Sequence, residues 1–233
     1  MNDPIHLRLE EMQKRVVQDQ VSGSAGDREL TEKRQHQIVE GASSVLFEKG
    51  FNRTSIRDIA TACGMSMGQL YHYISSKDDI LYLIHKHSQA VWYQHLVDAG
   101  FEQVADPVER LAYALRGSIS FVYANKDLFQ FLYTESKHLD REHLKLVLEI
   151  DDKNVVGFYR HLLSEIPGLS LGTDEKEVAA NLIAFIVVFL ALRGWNLDST
   201  KVSEEIDFLV QFTFRGLGLT VPDASGAAVT QGA

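Results

Sequence analysis

Residues 51–80 read FNRTSIRDIATACGMSMGQLYHYISSKDDI, and this stretch decides the fold. Ser55 and Asp58 have the spacing of a capping box, in which a hydroxyl and a carboxylate satisfy free backbone amides at the start of a helix. Gly64 follows the helical pattern and suits the left-handed residue that turns the chain. The apolar positions between them have helical spacing and comprise Ile56, Ile59, Ala60 and Cys63.

A second short helix is predicted directly after this turn. Ser66 can cap it, and Leu70 and Ile74 form its apolar side. A longer helix over residues 77–99 follows, and an earlier apolar stripe ends at Gly50, a natural helix stop. Two short helices joined by a tight turn, with a preceding helix against them, are typical of a helix-turn-helix motif.

The rest of the chain continues in helical periods. No segment keeps the alternation of a half-buried strand, so the chain is predicted to be all-α. The pattern predicts an amphipathic helix over 5–20, a flexible link over 22–26 and a disordered tail over 221–233. Further helices are predicted over 107–124, 127–139, 142–165, 174–195 and 203–217.

Composition places the chain among globular proteins. It has 233 residues, 45% of them hydrophobic and 24% charged, which excludes collagen-like, disulfide-scaffold and wholly disordered proteins. Cys63 is the single cysteine, so a reducing compartment is expected. No secretion signal is evident at the amino terminus, and the longest uncharged apolar stretch, 182–192, is shorter than the roughly 20 residues that span a membrane. These features predict a cytoplasmic protein in which residues 182–192 form a buried core helix.

The charge is unevenly distributed along the chain. A net charge of -9 disfavours indiscriminate binding to nucleic acid, since phosphate attraction depends on basic residues. Residues 31–80 nevertheless hold equal numbers of basic and acidic residues, and the acidic excess lies largely beyond them. An anionic partner is therefore expected to meet the 31–80 segment.

The second helix of the motif carries polar residues beside its apolar stripe. An amide such as that of Gln69 can read a base edge, and Gly68 lets the backbone approach DNA closely. Lys77 begins the next helix, where a cation can hold a phosphate. The residues predicted to be exposed are Met67, Gly68, Gln69, Tyr71 and His72.

The same stretch resembles the DNA-binding domain of the tetracycline-repressor (TetR) family over about residues 31–90. The shared features are a Thr at the second helix, Ile-Ala, the turn glycine, Leu-Tyr, and Ser-Lys followed by acidic residues. The sequence departs from the family at Tyr73-Ile74, so both a DNA-facing and an inward position stay open for Tyr73. The resemblance implies DNA contacts by Arg57, Met67, Gly68, Gln69, Tyr71, His72, Tyr73 and Lys77.

The resemblance also implies a domain order and a homodimer on a palindromic operator. The expected order is an extension over 1–30, the DNA-binding domain over 31–90 with its helix-turn-helix at 55–74, a helical ligand-binding and dimerisation domain over 91–220, and the tail. The last two helices are expected to form a four-helix dimer interface. Residues 178–195 are apolar on nearly all sides, which supports this independently. The predicted interface residues are Leu182, Ile186, Leu190, Leu209 and Phe212.

Aromatic residues are dense between positions 92 and 195. Singly, each is most often part of a core, but together they can line an apolar pocket between helices. The residues predicted to line that pocket are Trp92, Phe121, Phe129, Tyr133, Phe158, Phe185 and Phe189.

The ligand of this pocket is the least defined expectation. Residues 131–140 and 158–163 are similar to TetR-like regulators that sense acyl-coenzyme A thioesters, with Lys137, His138, Arg141 and Arg160 available for phosphates. The alternatives are another apolar or aromatic small molecule, or no ligand.

Catalytic and metal-binding patterns are not evident in the sequence. No nucleophile elbow, phosphate loop or dinucleotide fingerprint occurs. Asp140 and His143 have the carboxylate-x-x-His spacing of a di-iron half-site, as do Glu135 and His138. Both pairs lie in one short segment, however, whereas the two halves of a metal site in a helix bundle lie on different helices. We therefore predict a ligand-responsive repressor with no enzyme activity, metal or cofactor. The alternatives are a DNA-binding adaptor without an effector and an all-α enzyme.

Overall fold

The computed structural model describes residues 25–222. These residues form helices, turns and loops without a strand, which confirms the predicted all-α class. The helix predicted over 5–20 and the tail beyond residue 222 lie outside the described residues. The link predicted over 22–26 is wrong at Ala25 and Gly26, because the first helix begins there and continues unbroken to Lys49.

The helix bounds follow the predicted periods closely. Their physical basis is local, since caps and turn glycines mark most of the ends. Within residues 25–222 the α-helices are α1 Ala25–Lys49, α2 Ile56–Ala62, α3 Met67–Tyr71, α4 Lys77–Asp98, α5 Pro107–Ala124, α6 Lys126–Glu135, α7 Arg141–Asp151, α8 Gly157–Glu165, α9 Thr173–Arg193 and α10 Val202–Gly216.

Two of the predicted helices differ from the structure. The helix expected over 127–139 ends as α6 at Glu135 and continues as a 3-10 turn over Ser136–His138. The helix expected over 142–165 is instead α7 and α8, joined by a π-helical turn at Asp152–Val156. Such a turn inserts a wider hydrogen-bonding register without ending the helix, so hydrophobic spacing alone does not reveal it.

The described chain divides into two compact units. The first comprises the described residues up to Ser88 together with Phe131–Glu149, and the second comprises Gln89–Gln130 with the described residues from Ile150 onward. The first unit's first segment ends at Ser88, and residues 131–149 belong to the same unit as the helix-turn-helix, although the sequence assigned them to the second domain. The contacts responsible join residues far apart in sequence, as between the side chains of His85 and Ser136, 2.8 Å apart.

In the first unit, α1 supports the turn of the motif at a position that requires glycine. A Cβ atom on Gly41 would lie 2.9 Å from both the backbone nitrogen and the Cα of Cys63, closer than real Cβ contacts. The Nε2 of Gln37, one turn earlier on α1, donates a hydrogen bond to the carbonyl of Cys63 at 2.8 Å. Ile38 and Leu46 of α1 are fully buried. The backbone of the turn therefore rests directly on α1.

The interior of the second unit is built around α5. Both α9 and α10 pack on α5, and α9 also packs on α8. Ser118 of α5 is fully buried and accepts hydrogen bonds from the indole of Trp92 at 2.9 Å and the hydroxyl of Tyr159 at 2.8 Å. Pairing these buried donors avoids the penalty of an unpartnered polar group, so the three residues favour one arrangement of α4, α5 and α8.

The helix α9 is apolar on both of its sides. By length and composition alone, Thr173–Asn196 is able to cross a membrane. Ile183 and Val187 are buried within the chain, whereas Leu182 and Phe185 are 58% and 54% exposed. The prediction of a wholly buried core helix is therefore wrong, because a continuous apolar sequence does not show which of its faces the fold covers.

Candidate nucleic-acid interface

Two capping boxes fix the short helices of the motif. The Oγ of Ser55 accepts from the backbone nitrogen of Asp58 at 3.2 Å, and the Asp58 carboxylate accepts from the backbone nitrogen of Ser55 at 2.9 Å. Hydrogen bonds from Ser55, followed by one from Lys49, lower the pKa of Asp58 to about 2. Gly64 then turns the chain with a φ of 62°, and Ser66 starts α3. The predicted caps and the turn glycine are confirmed.

The outer side of α3 is polar and exposed, whereas its inner side is buried. Leu70 and Ile74 are 0% and 4% exposed, as their apolar spacing predicts. Tyr71 is 51% exposed, and a Cβ atom on Gly68 would meet no atom within 4 Å. The backbone and side chains of this side are therefore open to a partner. Gln69 and His72 are also exposed, and Met67 is half-buried.

Gln69 has a second role that the sequence interpretation missed. Its Oε1 accepts a hydrogen bond from the backbone nitrogen of Ser66 at 2.9 Å, which closes the capping box at the start of α3. The sequence held this signal, because Ser66 and Gln69 have the Ser-x-x-Gln spacing of that motif. The capping bond uses only the amide oxygen, so the NH2 group keeps its two donor hydrogens for another acceptor.

Arg57 and Tyr73 flank this exposed side. Arg57 is exposed on α2, as a DNA contact requires. Tyr73 is half-buried, and its ring stands edge-on to that of His72 with the centroids 5.1 Å apart. Its position is thus intermediate between the two that the sequence left open. Contact with DNA stays a prediction for both residues.

Lys77 contacts the loop that precedes α2. Its Nζ donates to the carbonyl oxygens of Phe51 at 2.6 Å and Thr54 at 3.1 Å, and lies 4.3 Å from the centroid of the Phe51 ring. Burial lowers the pKa of Lys77 accordingly. These two bonds leave the ammonium one donor hydrogen, so contact of Lys77 with a phosphate stays a prediction. Its hydrogen bonds fix a loop of the first unit, a long-range contact that local spacing does not predict.

Residues 131–149 lie later in the sequence but contact the loop before α2 and the start of α4. The carboxylate of Glu135 accepts from the backbone nitrogen of Phe51 at 3.2 Å, and His143 Nε2 lies 2.7 Å from Asp79 Oδ1. Donor atoms of Asp78, Asp140 and His143 come within 4.8 Å of one another. Both ring nitrogens of His143 already face carboxylates, so hydrogen bonding alone accounts for the cluster.

The aromatic residues predicted to line a pocket do not form one set. Trp92, Phe121 and Phe158 are buried in the second unit, and the Trp92 and Phe158 rings pack edge to face with centroids 5.2 Å apart. The rings fill this interior and therefore act as core. Tyr133 is 66% exposed in the first unit and Phe185 is 54% exposed on α9, so the assignment of both to the pocket is wrong. Phe129 and Phe189 are half-buried.

The predicted dimer residues divide between two faces. Leu190 and Leu209 are 3% and 9% exposed and pack inside the chain, so assigning them to an interface is wrong. Ile186 is half-buried. Helical spacing instead groups the exposed apolar residues into an outer stripe on α9 and another on α10. The α9 stripe comprises Val178, Leu182 and Phe185, and the α10 stripe comprises Phe208 and Phe212, all 54–62% exposed.

Arginines of the second unit also differ from expectation. Arg160, which was expected to meet phosphates, contacts both carboxylate oxygens of Glu177 at 2.5 and 2.8 Å and lies 3.1 Å from Asp152. These acidic groups raise the pKa of Arg160 and balance its positive charge within the chain. A cleft of about 450 Å³, lined in part by Arg116 and Arg215, was not predicted.

Comparison with known proteins adds independent evidence on the motif and on the whole chain. Residues 38–82 match the family described as bacterial regulatory proteins, tetR family. The chain is 32% identical over 203 residues to the HTH-type transcriptional regulator HbdR of Aromatoleum sp. (strain CIB), covering 87% of this chain and 86% of that protein. It is 24% identical over 146 residues to the fatty acid metabolism regulator protein of Bacillus subtilis (strain 168), covering 63% of this chain and 71% of that protein.

A solved structure shares the fold. The crystal structure of AibR in complex with isovaleryl coenzyme A and operator DNA superposes with a TM-score of 0.59 at 23% identity, covering 77% of this chain and 97% of AibR. The family match falls on the capped helices and turn described above, and the similarity to HbdR extends over most of the chain. The chain therefore belongs to the TetR family of DNA-binding transcriptional regulators.

Proposed function

We propose that this regulator is a ligand-responsive repressor that binds a palindromic operator as a homodimer in the cytoplasm. The observation that carries the proposal is the exposed polar side of α3, on which Gln69, Tyr71 and His72 stand opposite the buried Leu70. A helix held on one side and polar on the other is what major-groove binding requires.

Each exposed residue is suited to a different contact. The NH2 group of Gln69 can donate to a base edge while its oxygen caps α3. Tyr71 and His72 can donate to bases or phosphates, and Arg57 on α2 can reach a phosphate. Gly68 leaves space for the sugar-phosphate backbone, since nothing lies within 4 Å of its Cβ position. Lys77 can offer a phosphate one ammonium hydrogen, because the other two are donated to loop carbonyls.

The homodimer is supported by the outer stripes of α9 and α10. Large exposed apolar residues grouped by helical spacing mark protein interfaces more often than solvent-facing surfaces. Only 28% of the most apolar part of Thr173–Asn196 is buried within the chain. A second copy that covered both stripes would remove this surface from water, and a two-fold pair would present two copies of α3 to two half-sites.

We propose an acyl-coenzyme A thioester as the effector. The support is the AibR complex, which shares this fold and contains isovaleryl coenzyme A. The aromatic interior around Trp92 and Phe158 is apolar enough for an acyl chain. Because the rings pack against one another, binding must displace at least one of them. That displacement would couple ligand binding to the arrangement of the helices.

A titration tests the effector and the interior site together. The protein–operator complex is titrated with a panel of acyl-coenzyme A thioesters and the matching free acids, and release of DNA is followed. The same titration on Trp195→Phe leaves Trp92 as the single tryptophan, because the chain has two. Trp195 is 78% exposed, so replacing it removes its background fluorescence without disturbing the core. Release by thioesters with a change in Trp92 emission is expected, and release by an unrelated aromatic compound alone would contradict the thioester.

The second candidate is a DNA-binding adaptor without an effector. The close packing of the aromatic interior favours it, because Trp92, Phe158 and Tyr159 fill the space that a ligand would occupy. Indifference of both DNA binding and Trp92 emission to every compound in the panel would support the adaptor.

A further inference from the structure

One carboxylate holds the turn that follows the recognition helix α3. The Oδ2 atom of Asp79 accepts hydrogen bonds from the backbone nitrogens of Ser75 at 2.5 Å and Ser76 at 2.9 Å. Ser76 and Asp79 also share a reciprocal bond, from the Asp79 backbone nitrogen to the Ser76 Oγ at 3.2 Å. The path of the chain from α3 into α4 therefore depends on the position of this single side chain.

The other oxygen of the same carboxylate meets a histidine from residues 131–149. His143 Nε2 lies 2.7 Å from Asp79 Oδ1, and His143 Nδ1 lies 2.9 Å from Asp140 Oδ2. Ionised carboxylates only accept hydrogen bonds, so both contacts are made together only when both ring nitrogens carry hydrogen. The arrangement thus selects the imidazolium form. The side chains of His143 and Asp79 are 15% and 26% exposed and that of Asp140 is 55% exposed, so the contact with Asp79 is the better shielded of the two.

The segment that supplies His143 is joined to the second unit at both of its ends. Phe131–Glu149 belongs to the first unit, whereas Gln130 and Ile150 on either side belong to the second. The backbone nitrogen of His143 donates to Asp140 Oδ1 at 2.9 Å, so the histidine is fixed at the start of α7 by an N-cap.

We propose that His143 is a positioning residue for operator binding, which acts through Asp79 on the Ser75–Ser76 turn and is effective in its protonated form. This inference rests on the proposed DNA-binding function of α3. Loss of the proton removes one of the two hydrogen bonds and the charge attraction, so Asp79 is less restrained. The turn and the recognition helix before it are then less well ordered for DNA.

The direction of the pH dependence follows from the groups that face His143. They are Asp78 and Asp79 on α4 and Asp140 before α7. Burial lowers the pKa of His143, but hydrogen bonds and charge attraction from Asp79 and Asp140 outweigh it, and the net pKa is raised above 6.5. The contribution of His143 is therefore fully present below pH 6.5 and is lost as the pH rises through the raised pKa.

The main test is the pH profile of operator affinity for the wild type and His143→Gln. Wild-type affinity is expected to fall by about fivefold or more over the titration of His143, which is a typical size for coupling between sites. His143→Gln is expected to lack this component and to be weaker at low pH. The matched control is His36→Gln on α1, an exposed histidine 3.6 Å from Glu40. All three proteins keep His72, so its contribution to DNA binding is common to all of them.

A second variant, Asp140→Asn, is designed to keep the fold and to shift the pH at which His143 titrates. Asp140→Asn retains a good N-cap residue for α7 but removes one negative charge beside His143. The midpoint of its affinity profile is expected to shift to lower pH, with a melting temperature that matches the wild type when it is measured above the titration of His143. Profiles of His143→Gln and Asp140→Asn that match the wild type would overturn the proposal. A change in wild-type affinity on adding EDTA or Zn²⁺ would also overturn it, because the cluster would then hold an ion.

A measurement without DNA separates this proposal from the proposed function. Amide hydrogen exchange at Ser75 and Ser76 is compared between wild type and His143→Gln at the same pH. Faster exchange in the variant at pH 6, with a smaller difference at pH 9, is expected in the absence of any DNA. Equal exchange rates at both pH values would overturn the proposal, whereas failure of the wild type to bind any duplex would overturn the DNA-binding function of α3 alone.

Discussion

The substitution Phe212→Ala tests whether the outer stripe of α10 joins two copies of the chain. Phe212 is 59% exposed in the single chain, and its ring stacks on that of Phe208 with centroids 6.3 Å apart. Covering the exposed part of a side chain of about 200 Å² removes about 120 Å² more from water, worth about 3 kcal/mol. The residue occurs twice in a two-fold dimer, so we expect a loss of about 4–6 kcal/mol, or three to four orders of magnitude in the dissociation constant.

Sedimentation equilibrium over a wide range of protein concentration measures this constant. Tyr133→Ala is the matched control, because Tyr133 is 66% exposed but lies on the first unit and outside both stripes. Phe212→Glu should give monomers or aggregates at every concentration, since it would place an unpaired carboxylate in the interface. A dimer of Phe212→Ala as tight as the wild type and the control would refute the interface on α10.

Three further substitutions test contacts within each unit. Gly41→Ala is expected to destabilise the protein by about 1–3 kcal/mol in urea unfolding, because the added Cβ meets the turn backbone at 2.9 Å, and unchanged stability would contradict that close approach. Lys77→Met should lower stability by about 1–2 kcal/mol through loss of the loop hydrogen bonds, and the salt slope of DNA binding should fall by about one if the third ammonium hydrogen holds a phosphate, whereas an unchanged slope would exclude that contact. Ser118→Ala leaves the buried donors of Trp92 and Tyr159 without their acceptor, so a loss of about 2–4 kcal/mol is expected in thermal unfolding, and a wild-type melting temperature would show that another acceptor replaces it.

Local features of the first unit were predictable from sequence because their causes are local. The capping box of Ser55 and Asp58, the left-handed Gly64 and the buried Leu70 each depend on residues within a few positions. Such signals are independent of the rest of the fold, which explains why the motif and its order of helices agree with the structure.

Long-range contacts were not predictable in the same way. The role of Lys77 depends on the carbonyls of Phe51 and Thr54, which precede it by more than twenty positions. The bond between Asp79 and His143 spans 64 positions, and no periodicity connects them. These contacts explain why residues 131–149 belong to the first unit, whereas the sequence assigned them to the second domain.

The sequence also failed to predict which faces of the apolar helix α9 are buried. Leu182 and Leu190 have the same chemistry and both lie on α9, yet one is 58% exposed and the other 3%. Periodicity distinguishes faces only when one face is polar, and α9 lacks that contrast. The assignment of Phe185 to a ligand pocket failed for the same reason, since an aromatic residue suits a core, a pocket and an interface equally well.

The central claim is that the exposed side of α3 reads DNA, and selection from a pool of randomised duplexes tests it most directly. The wild type is expected to select a palindrome. Gln69→Ala is expected to relax discrimination by about 1–3 kcal/mol at one base position in each half-site. Ser66→Ala is the matched control, because it breaks the same capping box without removing an amide donor. If Gln69→Ala and the wild type select sequences with the same base preferences at every position, α3 does not read the operator through Gln69 and the account is contradicted.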